Sequence, residues 1–102
     1  MNNKTKFNIG NHVWVIHYSK TTNELYIFDD RIAAISYVSI NTKPGYEVKY
    51  EIYKNCNDYS EDELVLFHDV SGLNQKINDT INKIKEMSGL DVKKIYKEDT
   101  EK

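Results

Sequence analysis

The sequence predicts one mainly β domain followed by a single amphipathic helix. Three observations carry that expectation. Residues 46–53 alternate with period two, with Tyr46, Val48, Tyr50 and Ile52 on one face and Glu47, Lys49, Glu51 and Tyr53 on the other. Residues 73–87 change to a helical period. The chain has 102 residues, enough for one domain with one modest core but not for two. Hydrophobic residues make up 39% and charged residues 29%, which places the chain among globular rather than disordered sequences.

Residues 1–6 are polar and expected to be flexible. Phe7, Ile9 and Gly10 then read as an apolar anchor and a turn. Residues 12–18 read as a strand, with Val13, Val15 and His17 on one side. His12, Trp14, Ile16 and Tyr18 lie on the other, so both faces are expected to be partly covered. A polar loop at 19–23 leads to a strand at 25–28, a break at Asp29-Asp30 and a third strand at 31–40. The apolar phase of that third strand is irregular, and a bulge near Ala33-Ala34 reconciles it. Residues 42–45, with Pro44-Gly45, form a turn.

In the next strand Tyr46, Val48, Tyr50 and Ile52 are expected inside. Glu47, Lys49, Glu51 and Tyr53 are expected outside. Residues 55–58 read as a turn, 59–63 as an acidic bend and 64–67 as a last short strand. Leu73, Ile77, Ile81, Ile84 and Met87 fall within an arc of about 120° at helical spacing. Ser71 is the expected N-cap and Gly89 the expected stop. The stripe is expected to dock on its own barrel or to form a homodimer with a second copy. Residues 90–102 are expected to be a charged, partly disordered tail.

No apolar run approaches the roughly 18 residues of a membrane span, and no basic-then-apolar leader opens the sequence. The single cysteine, Cys56, allows no internal disulfide and fits a reducing, cytoplasmic setting. A net charge of −2 argues against a general binder of polyanions, so direct nucleic-acid binding is not the first expectation. Asn, Lys, Ile and Tyr are abundant and Arg31 is the only arginine, a bias common where coding DNA is AT-rich.

Candidate chemistry is sparse. His12 and His17 lie five residues apart on one strand and face opposite sides, so they do not share a metal there. His68 is remote in sequence from both. Cys56 sits between two asparagines with no base at a telling spacing. No metal, no cofactor and no catalytic residue are expected. The carboxylates Glu47, Glu51, Asp58, Glu61, Asp62 and Glu63 are expected to gather. Residues 41–70 hold seven acids against three lysines. Trp14, Tyr18, Tyr37 and Tyr53 are the candidate exposed aromatics, a class enriched at protein interfaces. Together these ten residues are the candidate partner-binding surface.

The order Phe7, Ile9-Gly10, Val13-Trp14-Val15, then Ile32 and Ile35, Tyr46 and Val48, and Tyr59-Ser60-Glu61-Asp62-Glu63-Leu64 resembles SH3-like small barrels of the Tudor or KOW type. Hypothetical proteins of Firmicutes and their phages have this look. The resemblance implies a five-stranded antiparallel barrel over residues 7–68 with a C-terminal helix over 71–89. It implies a non-catalytic protein-binding module of a phage or mobile element, with a bacterial protein as partner. A nucleic-acid-handling or defence enzyme that it inhibits, as anti-CRISPR proteins do, is the expected target. The alternative is a nucleic-acid-binding barrel of the KOW type.

Overall fold

The computed structural model describes residues 5–39, 45–54 and 57–96. It is a mainly β fold with one long helix. The strands are β1 (His12–Ser19), β2 (Glu24–Ser39), β3 (Tyr46–Ile52), β4 (Asp58–Ser60), β5 (Leu64–Leu66) and β6 (Lys93–Tyr96). A 3-10 turn, Glu61–Glu63, separates β4 from β5, and helix α1 spans Val70–Ser88. The hydrogen-bonded order is β4-β3-β2-β1-β5, with β6 pairing in parallel beside the start of β2. Among the described residues β4 and β5 end this path without pairing to each other, so in place of the expected closed barrel of five strands there is an open sheet of six.

The strand expected at 25–28 and that at 31–40 are one continuous element, β2. Its first half pairs with β1 and its second half with β3. Asp29 and Asp30 do not break it because both carboxylates have partners. Asp29 Oδ2 lies 2.6 Å from His12 Nε2. Asp30, almost fully buried, accepts from the Arg31 amide at 2.7 Å and the Lys54 amide at 2.8 Å. The register slips between Ile32 and Ala34, where the sequence placed a bulge. The extra residue returns Ile35 to the side of Ile32.

β1 is apolar on both sides because the sheet separates two cores. Val13 and Val15 pack with Phe7, Phe28, Ile32, Tyr50, Ile52, Tyr59 and Leu64 inside the curl of the sheet. On the other side Ile16, Leu25, Ile27 and Val65 meet Leu73 and Ile77 of α1. Burying one large apolar side chain contributes about 1.5–3 kcal/mol before entropy, so both layers matter to stability. Tyr59, read from sequence as part of an acidic bend, lies in β4 and is a core residue.

Helix α1 begins two residues earlier than an N-cap at Ser71 would place it. Asp69, not Ser71, is its N-cap, and it accepts from the Gly72 amide at 3.0 Å. Gly89 ends the helix in the left-handed region, φ 74°, where a side chain is disfavoured. Leu73, Ile77 and Ile84 are buried and Ile81 is half-buried, but Met87 is exposed. The stripe is thus occupied by this chain's own sheet, and its last member overhangs the edge. Beyond the helix the expected tail contributes β6; its remainder, after Tyr96, lies outside the described residues. No helix among the described residues is long and apolar enough to cross a membrane.

Candidate functional site

The four candidate aromatics do not share a surface. Trp14 and Tyr18 lie on the helix side of β1, packed against the second core. Trp14 stacks on Phe67, and its Nε1–H donates to the Phe67 carbonyl at 3.0 Å. The Tyr18 hydroxyl donates to Asn23 Oδ1 at 2.7 Å. Asn23, at φ 57°, makes the β1–β2 turn, and its side-chain amide in turn donates to the Asp91 carbonyl. Both aromatics are therefore structural. Tyr37 and Tyr53 are exposed, as expected from sequence. Tyr37 is opposite Val48, whereas Tyr53 follows the far end of β3, about 17 Å along the strand.

The six acids also divide. Glu51 stands opposite Asp58 on the outer face, and Glu47 pairs with Lys49 at 3.3 Å on the same strand. Glu61 turns inward. It accepts from the Tyr50 hydroxyl at 2.5 Å and from the Lys6 amide at 3.1 Å. Glu63 accepts from the Ser60 amide at 3.1 Å and from His17 Nδ1 at 2.9 Å. A carboxylate only accepts, which places that imidazole proton on Nδ1. Asp62 is exposed and borders a cleft beside α1. Glu61 and Glu63 thus anchor the 3-10 turn, Glu51 and Asp58 form one cross-strand pair of acids, and Glu47 and Asp62 lie elsewhere.

The histidines face opposite sides of β1, as their spacing requires. His12 stacks on Phe67 with ring centroids 3.8 Å apart, and His17 meets Tyr59 edge-on. Cys56 lies outside the described residues. Among the described residues, no group of three or more His, Cys, Asp or Glu is placed to hold a metal ion. Two open clefts of about 350 and 330 Å³ flank α1 and meet at Lys76 and Asp79. Their polar groups alternate in sign, and no nucleophile–base pair converges in either.

What sequence reasoning missed lies at the end of the β2–β3 ribbon. Tyr46, expected in the core, is 62% exposed, and Val38 is 45% exposed. Tyr46 pairs with Ser39 and shares a face with Tyr37 and Val48. This is the face that carries Tyr50 and the core, continued past the point where the core ends. The available signal was position: Tyr46 directly follows Pro44-Gly45, a pair that favours a turn in sequence, so it opens its strand at the end away from the packed layer.

No family model matches the chain, no curated protein matches its sequence, and no solved structure matches its fold.

Proposed function

We propose that this chain is a non-catalytic protein-binding module built on an SH3-like plan. Its contact surface is the free end of the β2–β3 ribbon. The observation that carries the reading is the exposure of Tyr37, Val38 and Tyr46 on that ribbon. Large apolar and aromatic groups held in water at the tip of an ordered element are characteristic anchors of protein interfaces. Glu47, on the opposite face of the ribbon beside Val38, gives that surface an acidic rim. The SH3-like plan is supported by the strand order and by the long β2 shared between two halves of the sheet. In this reading β4 and β5 flank an unsealed seam. The compositional bias points to a low-GC bacterial host or its phage, and a host defence enzyme that handles nucleic acid is the first partner to seek.

The test compares the full chain with a Tyr37→Ser/Tyr46→Ser variant in affinity capture from a low-GC bacterial lysate. The expected result is one host protein retained by the wild type and lost by the variant, with thermal stability unchanged within a few degrees. Equal capture by both would remove the ribbon from the interface. Retention of nucleic acid alone, weakening steeply with salt, would replace this reading with the KOW-type one.

A further inference from the structure

We infer that the outer edge of β5, in the cleft beside α1, is a slot for one short extended segment of a partner protein, which sets an acidic side chain toward Lys76. The inference goes beyond the proposed function and uses none of the ribbon residues.

Backbone directions along β5 follow from the hydrogen bonds. The Phe67 amide donates to the His12 carbonyl, and Val65 stands opposite Trp14. Alternation then turns the backbone groups of Val65 toward β1 and those of Leu64 and Leu66 away from it. The other side of β1 gives the same parity. The Ile32 amide donates to Asn11, which turns Val13 and Val15 toward β2 and leaves Trp14 to β5.

The chain itself uses some of these outward groups. The Leu64 amide donates to the Glu61 carbonyl, and the Leu66 carbonyl accepts from the Asp69 amide at 3.0 Å. The Leu64 carbonyl and the Leu66 amide remain. Among the described residues neither has a partner, and β5 ends the path of the sheet. Leu64 is only 1% exposed, so its carbonyl is an orphan at the floor of the cleft. Buried backbone groups are nearly always paired. An acceptor and a donor two residues apart on one edge match a parallel strand: one incoming residue donates its amide to the first and accepts from the second. Adding a strand to an exposed edge in this way is a general mode of peptide recognition.

The cleft says what that residue carries. It holds about 350 Å³ above β5, between Lys6 and Phe7 on one side and Gly72 and Lys76 of α1 on the other. In parallel register the incoming side chain lies on the face of Val65, which packs toward Leu73 and Ile77 of α1. Gly72 presents no side chain there, and Lys76 is half-buried. Among the described residues no carboxylate lies within ion-pair distance of the Lys6 or Lys76 ammonium. The acids of the cleft are Asp69, held by the Gly72 amide, and Asp79, so the uncommitted charge is net positive. A carboxylate in the slot meets that charge through charge-assisted hydrogen bonds. The residues before and after it fall on the other face, beside Leu66, which is 47% exposed. The segment that fits is therefore apolar, acidic, apolar.

The experiment is amide-resolved NMR on the full chain, free and then with the blocked peptide Ser-Thr-Val-Glu-Val-Thr-Ser at roughly 2 mM, where millimolar binding registers. In the free chain the Leu66 amide is expected to exchange with solvent at least tenfold faster than those of Val65 and Phe67. The peptide should slow that exchange by the factor 1 + [L]/Kd, about threefold at millimolar affinity, and shift the Leu66 and Lys76 signals. Leu66→Pro removes the donor without taking a bond from β1 and should abolish binding. Leu66→Ala keeps the amide and should retain it. Lys76→Glu should exchange the preference for that of the counterpart Ser-Thr-Val-Lys-Val-Thr-Ser. Circular dichroism and melting temperature matching the wild type separate lost binding from lost folding. A Leu66 amide already as protected as its neighbours, no response to the peptide, binding that survives Leu66→Pro, or equal binding of both peptides by the wild type would each overturn the inference. The Tyr37→Ser/Tyr46→Ser variant should bind the peptide like the wild type, so failure of the slot and failure of the proposed function are read separately.

Discussion

Tyr50 joins more of the molecule than any single spacing in the sequence reveals. Its ring is fully buried and meets Phe7 edge-on at 5.4 Å. Its hydroxyl donates to Glu61 and accepts from the Lys6 and Phe7 amides at 3.1 and 3.3 Å. One oxygen thus ties the N-terminal segment and the 3-10 turn to the middle of β3. Burial, and then the hydrogen bond to Glu61, push its ionisation up to about 12 from the usual 10. The raised value means that the neutral form is favoured in the folded state. The stabilisation is complete below pH 10 and is lost as pH rises toward 12, where the unfolded chain ionises first. Urea denaturation of Tyr50→Phe at neutral pH should show a loss of about 1–2 kcal/mol, because two amides and a carboxylate lose a common partner. Between pH 10 and 12 the same variant should lose stability less steeply than the wild type. Parallel slopes would mean that Tyr50 does not govern alkaline unfolding.

At the scale of one element, α1 shows how a glycine inside a helix earns its position. Gly72 donates to the Asp69 cap, and a Cβ placed there would come within 2.7 Å of the Asp69 carboxyl carbon. Alanine ordinarily stabilises a helix by about 1 kcal/mol relative to glycine. Here it displaces the capping carboxylate, whose loss costs about 1 kcal/mol. Gly72→Ala should therefore bring no net gain in the wild type. In an Asp69→Ala background, where the clash is gone, the same change should stabilise by up to about 1 kcal/mol. A double-mutant cycle read by thermal or urea denaturation measures that coupling. Additive effects would show that the cap and the glycine are independent. The β2 bulge is the matching case in the sheet. Its position was legible because the apolar phase slips at Ala33-Ala34, whereas the continuity of β2 through Asp29-Asp30 was not. Two adjacent acids read as a turn until His12 and the Lys54 amide are seen to meet them.

For the whole molecule, stability depends on two apolar layers on opposite sides of one sheet. Ile77 sits in the layer between sheet and helix, and Met87 extends the same stripe into water. Ile77→Ala should cost about 2–5 kcal/mol, the range for removing a buried branched side chain. Met87→Ala should change stability by less than about 0.5 kcal/mol. Chemical denaturation of the two variants checks whether α1 is docked as described; equal effects would detach it. The overhang of Met87 and the exposure of Tyr46 have one cause. Each element is longer than the layer it covers, so its periodic pattern runs on after the packing has stopped. Periodicity gives the face on which a residue lies but not the distance to which the core extends.

The sequence by itself determined the class of each long element, the site of the bulge, the helix stop at Gly89 and the opposed histidines, because these follow from local geometry at fixed periods. Only the tertiary structure decided that the path ends unpaired at β4 and β5, and that Trp14, Tyr18, Glu61 and Glu63 are held in internal contacts. It alone left Tyr46 and the last four residues of β2, 36–39, exposed. Exposure is set by what folds back over a residue from far along the chain, and a linear pattern of side chains carries no measure of that distance.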